Sequence, residues 1–149
     1  MAIPTRSALP GTYFVTSAIY NRHRLFQVAA NARLFVETLQ HYRKLGHYKL
    51  FGFVVMPDHI HLIVTPQQCT LERTMQLVKG GFSHRVGSKI PVWQRGFTDH
   101  RIRDRADFDT RLGYLHDNPV RARLVERPED YEFSSAFQRN GLTSGAEAP

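Results

Sequence analysis

The stretch VVMPDHIHLIVTP, residues 54–66, decides the fold. Pro57-Asp58 is a turn signal between two runs rich in β-branched residues, so the stretch reads as two strands joined by a tight turn. Side chains on a strand alternate between faces. His59 and His61 therefore stand on one face, roughly 6.5–7 Å apart at Cα. Ile60, Leu62 and Val64 point to the other face. Two neutral imidazoles at that spacing can converge on one divalent metal ion. They can equally be a pair of packing histidines, because H-x-H alone is a weak motif.

Working outward, KLFGFVVM (49–56) is the preceding strand and is apolar on both faces. Strict alternation puts Phe51, Phe53 and Val55 on one side and Leu50, Val54 and Met56 on the other. GTYFVTSAIYN (11–21) reads as an earlier strand. Phe35, Leu39 and Tyr42 recur at helical spacing in the segment between them, which Gly46 ends. After the histidine strand, Thr70 is a candidate N-cap for a helix with the stripe Leu71, Met75, Val78, Phe82 and Val86. Gly80-Gly81 weakens that helix or lets a neighbour approach it. TDHRIRD (98–104) reads as a polar strand, and ADFDTRLGYLHD (106–117) as a third helix with Phe108, Leu112 and Leu115 as its core stripe. The order β-α-β-β-α-β-α begins as the ferredoxin-like split βαβ pattern. The expected fold is α+β: an antiparallel sheet with two helices on one face and an extra C-terminal helix. In that topology the histidine strand is central.

The chain of 149 residues fits one domain, 1–149, with 1–11 and 140–149 expected to be flexible. Cys69 is its single cysteine. That excludes an intramolecular disulfide and a cysteine-only zinc site, and fits a reducing compartment. No stretch approaches the ~20 apolar residues of a membrane helix, and MAIPTRSALPGTYF shows no apolar signal core. The expectation is a cytoplasmic protein with no membrane partner. The formal charge is +7, and only four of the cationic residues are lysines. Arginine grips phosphate with a planar fork, so the balance points to nucleic acid as strongly as to a merely solvated basic surface.

The helix holding RLGYLHDNP places Tyr114 and Asn118 about 40° apart on one flank, with Arg111 one turn before Tyr114. His116 points elsewhere. By spacing alone, Tyr114 also fits an amphipathic core position. Asn118 likewise fits the N-cap of a helix with Pro119 at its first position.

Taken together, MPDHIHLIV, LVKGGFSHRV, VWQRGFTDHRIRD, YLHDNPVRARLV and DYEFSSA resemble the IS200-like single-tyrosine transposases, nearest their REP-associated branch. The resemblance runs from Tyr13 to Ala136 with the blocks in family order. It implies an HUH endonuclease whose histidine pair is His59 and His61. It also implies a tyrosine nucleophile, matching Tyr114, and a third metal ligand, matching Asn118. A mixed imidazole and amide set suits Mg²⁺ or Mn²⁺ better than a closed zinc site. The expected reaction is metal-dependent cleavage and strand transfer of single-stranded DNA near hairpins, through a 5′-phosphotyrosine. Lys79, Arg85, Arg95, Arg101, Arg103, Arg111 and Arg121 are candidate phosphate contacts. Trp93, Phe97 and His100 are candidate stacking surfaces, each with a structural alternative. The alternative function is a domesticated, non-cleaving DNA- or RNA-binding module on the same sheet. The resemblance allows a monomer or a homodimer and favours the monomer. Two positions depart from the family pattern. Asp58 stands where the turn usually has asparagine, and parity puts it off the histidine face. Arg123 stands where a glycine is common.

Overall fold

The structure, a computed structural model, describes residues 11–137. Apart from Gly11, the two segments expected to be flexible lie outside the described residues. The elements are β1 (Tyr13–Ala18), α1 (Ala29–Lys44), β2 (Tyr48–Met56), β3 (His59–Pro66), α2 (Leu71–Val86), β4 (Thr98–Arg101) and α3 (Arg105–Arg121). The sheet order is β2-β3-β1-β4 with every pair antiparallel, so β3 is central as expected.

Each face of the sheet has its own core. On one side Val15, Leu50, Phe53, Val55, Ile60, Leu62 and Val64 pack with Phe35 and Leu39 of α1 and Met75, Val78 and Phe82 of α2. On the other, Phe14, Val54, Met56 and Ile63 pack with Phe108 and Leu115 of α3. The split follows strand parity with one correction. Leu50 shares a face with Phe53, and Phe51 joins the α3 side. The β2–β3 register shifts between Leu50 and Gly52. A bulge adds one residue to β2 and so inverts the parity upstream of it. Gly52 has a second role. A Cβ there would lie 2.8 Å from Leu112 Cδ1, so the bare backbone lets α3 seat directly on the sheet. Gly81 does the same between helices, since its Cβ would meet the Tyr42 hydroxyl at 2.6 Å.

The helix ends follow local chemistry. Thr70 accepts a hydrogen bond from the Arg73 N–H to cap α2. Asp104 caps α3 by accepting from the Asp107 N–H. Contrary to the capping alternative, α3 runs through Asn118 and Pro119. Proline so near the helix end forfeits only one intrahelical bond. The helix closes in a Schellman motif, with Leu124 N–H bonded to Pro119 O and Arg123 N–H to Val120 O, both at 2.9 Å. Arg123 takes the left-handed position, φ 60°, that glycine occupies most easily.

The C-terminal segment covers an edge. Val55 N–H bonds to Phe133 O at 2.8 Å and Ser135 N–H to Phe53 O at 2.9 Å, so the outer strand β2 is not left open.

Candidate active site

His61 faces α3 from the middle of β3 and is only 5% exposed. Thr16 lies directly across from it on β1 and Val54 on β2. Burial, the neighbouring His59 and the cations of Arg121 and Arg22 push its imidazole down to about 3, so the ring is neutral at physiological pH. Thr16 Oγ1 is 2.7 Å from its Nδ1. With the hydroxyl accepting the Nδ1 proton, the lone pair of Nε2 is free. Phe14 stacks on the ring at 5.2 Å between centroids.

His59 stands beside it, the two rings 4.8 Å apart at their centroids. Its Nδ1 lies 2.7 Å from Asp58 Oδ1. The carboxylate can only accept there, which sets the proton on Nδ1 and leaves Nε2 open. Here the structure corrects the parity reading of Asp58. The residue sits in the turn rather than on the strand, and its side chain bends back onto His59. Both imidazoles are thus held through Nδ1 by partners outside the pair. That is the outer-shell arrangement of metal-binding histidines, and the donor set fits a divalent ion. Among the described residues no three His, Cys, Asp or Glu side chains converge. Two imidazoles alone leave positions for an amide, water and phosphate.

α3 crosses above. Tyr114 is 47% exposed, and its ring lies 5.9 Å from His61 and 6.0 Å from Phe14. Arg111 lies over Phe14, with its guanidinium carbon 5.6 Å from the ring centroid. Arg111 and Tyr114 thus step along the sheet toward the histidine end. Asn118 follows one turn on, half-buried on the same flank. Arg111 and Tyr114 thus lie along the histidine face as the helix periodicity predicts, and Asn118 shares their flank of α3. His116 points away, to Ser135 Oγ at 2.7 Å. Tyr131, the other tyrosine late in the chain, bonds through its hydroxyl to Val55 O at 2.6 Å, and burial pushes it up to about 12. It is a packing residue.

The candidate DNA contacts separate by position. Arg121 is at the site: its guanidinium carbon sits 4.2 Å over the Tyr114 ring, and it bonds to Asp117 and the Tyr114 carbonyl. Arg95 is exposed, next to Gln94, whose N–H bonds to Ala18 O across from the His59 end of β3. Others are committed inside the fold. Trp93 packs against Phe26, Phe35 and Phe82 and donates its indole N–H to Lys79 O. Phe97 is partly buried against the same core. Lys79 donates to Gly96 O at 2.7 Å and Gln94 O at 3.3 Å, and burial lowers its pKa. Arg85 reaches Thr38 Oγ1. His100 and Arg103 both bind Asp107, which also pairs with Arg111 at 3.6 Å. Hydrogen bonds from the Arg103 backbone N–H, which contributes most, and from His100 hold the Asp107 carboxyl down to about 2. Arg101 lies over Gly11. The roles of Thr16, Asp58 and Phe14 had no sequence signal of their own. They follow from strand register and from the turn.

The family model for IS200-like transposases matches residues 12–117. The chain is 27% identical over 132 residues to the REP-associated tyrosine transposase of Escherichia coli K12, an alignment covering 87% of this chain and 78% of that one. Its fold matches a REP-associated tyrosine transposase solved bound to a REP hairpin, with TM-score 0.72 at 24% identity over 100% of this chain and 99% of the other. No helix among the described residues is long and apolar enough to cross a membrane. The family model spans most of the chain, and the chain belongs to the IS200-like transposase family.

Proposed function

We propose that this protein cuts and rejoins single-stranded DNA beside hairpins by transesterification, with Tyr114 as nucleophile. The observation that carries this is the placement of Tyr114, half exposed, with its ring 5.9 Å from a buried neutral His61. The hairpin preference is supported by the structural neighbour that holds a REP hairpin.

His59, His61 and Asn118 would hold Mg²⁺ or Mn²⁺, which when bound supplies Lewis-acid polarisation of the scissile phosphate. Phe14 and Thr16 keep the His61 ring from rotating, and Asp58 does the same for His59. Tyr114 Oη gives up its proton to solvent and bonds to phosphorus, the P–O3′ bond breaks, and the leaving 3′ oxygen takes up a proton. The product is a 5′-phosphotyrosine and a free 3′-OH. The phosphodiester is conserved, so a 3′-OH can attack it in reverse and reseal a strand without a nucleotide cofactor. Arg121, stacked on the Tyr114 ring and bonded to its carbonyl, orients the phenol and offsets the charge that develops on it. Tyr114 and the histidines belong to the same chain, which favours a monomer that is complete by itself.

The test is a denaturing gel of protein incubated with hairpin DNA carrying single-stranded flanks, in Mg²⁺ or Mn²⁺. The expected result is a covalent protein–DNA band that disappears in Tyr114→Phe while DNA binding persists. Cleavage without a covalent band, or a band that survives Tyr114→Phe, overturns the assignment.

A further inference from the structure

We propose that the segment Tyr20–Arg24 is a clamp for the backbone of single-stranded DNA next to the scissile phosphate. The inference rests on the DNA-processing reading of the site. The segment links β1 to α1. All five of its residues, Tyr20, Asn21, Arg22, His23 and Arg24, are exposed. The core therefore does not dictate their identity, and what they present to solvent is one aromatic ring, an amide, an imidazole and two guanidinium groups.

The backbone is held rigidly and in an unfavourable shape. Asn21 and Arg22 both have left-handed geometry, φ 53° and 55°. Two consecutive non-glycine residues there are costly and persist only where their surroundings over-determine them. The surroundings are visible. Ile19 N–H bonds to Asp58 O at 2.9 Å and Phe26 N–H to Pro57 O at 3.0 Å, which staples both ends of the segment to the turn that precedes His59. Tyr20 N–H bonds to Val92 O, and Arg22 N–H to Ile19 O. Ile19 and Phe26 are buried anchors. The strained tip is thereby fixed against the end of the sheet where the histidine pair opens. The Arg22 guanidinium lies 3.9 Å from the Asp58 carboxylate, whose other partner is His59.

This chemistry fits one class of ligand. Guanidinium groups on a rigid backbone grip phosphodiester oxygens, and an exposed tyrosine offers a face to an unpaired base. Bound here, a strand would run past Asp58 and His59 toward Tyr114.

The test measures binding of fluorescent hairpin DNA with single-stranded flanks over a salt series. The Tyr114→Phe background prevents adducts. Arg22→Asn together with Arg24→Ala should weaken binding about tenfold and lower the salt slope by roughly 1.4, at about 0.7 for each single-strand phosphate contact. Asparagine tolerates the left-handed backbone, so the loop keeps its shape. Arg24→Gln alone leaves both left-handed residues untouched and should lower the slope by roughly 0.7. Arg73→Gln, an exposed cation on α2 at the opposite face, is the control and should leave the slope unchanged. A parent protein that binds while the loop variants match the Arg73 control overturns the clamp alone. A parent that binds no hairpin DNA overturns the function reading along with it.

Discussion

Replacing Asp58 tests how the site holds its histidines. Asp58 Oδ1 lies 2.7 Å from His59 Nδ1, a short charge-assisted bond that sets the tautomer leaving Nε2 free. Outer-shell partners of metal-binding histidines are worth about 10–100-fold in metal affinity, or about 1.4–2.7 kcal/mol. Asp58→Ala removes both the acceptor and the charge, so the full loss is expected. Asp58→Asn keeps an oxygen that can accept the same proton and removes only the charge, so its loss should stay below about tenfold. Titration with Mn²⁺, followed by calorimetry or by the fall in the free-ion magnetic resonance signal, reads affinity without DNA or turnover. His59→Ala marks the floor of the assay. The Asp58 side chain is 33% exposed, so thermal unfolding of the metal-free variants should barely move. Wild-type Mn²⁺ affinity in Asp58→Ala would refute the reasoning. So would Asp58→Asn binding more weakly than Asp58→Ala, because the orienting oxygen would then count for nothing.

Two further outcomes follow from geometry and protonation. Arg123→Gly removes a side chain from a left-handed helix-end position and should stabilise the fold by about 1 kcal/mol, seen as a rise in Tm of about 2–4 °C, with no loss of adduct formation. A Tm that falls would show that the Arg123 side chain contributes contacts outweighing its backbone cost. Acid should destabilise the protein well above the carboxylate range. The folded His61 binds no proton until about pH 3, whereas the unfolded chain protonates it near 6.5, so its contribution is complete above 6.5 and is lost as pH falls toward 3. The slope is about 1.4 kcal/mol per pH unit within that window. Urea midpoints between pH 6.5 and 5 should fall in the wild type and fall less steeply in His61→Gln, where His116, also lowered by burial, still contributes; equal slopes would sink this account.

Much of the fold and site was legible because two backbone periodicities are local. The two-residue repeat of a strand put His59 and His61 on one face without any knowledge of the partner strands. The helical repeat lined up Arg111, Tyr114 and Asn118 in the same way. Alternating strand and helix patterns then limited the topology to a sheet with β3 at its centre. The other features depended on contacts between residues distant in sequence. A bulge at Phe51-Gly52 exchanged the faces of Leu50 and Phe51, beside the point where Leu112 of α3 seats on the bare Gly52 backbone. Trp93 and Lys79 read as DNA contacts by residue type, yet the aromatic core took the indole and two loop carbonyls took the ammonium. Thr16 found His61 through strand register, 45 residues away. Asp58 turned onto His59 because a turn residue is free of the strand's alternation. Side-chain direction within one element is thus written in the local sequence. Which groups meet is decided by tertiary packing, because each buried polar atom must find its partner wherever the chain brings one.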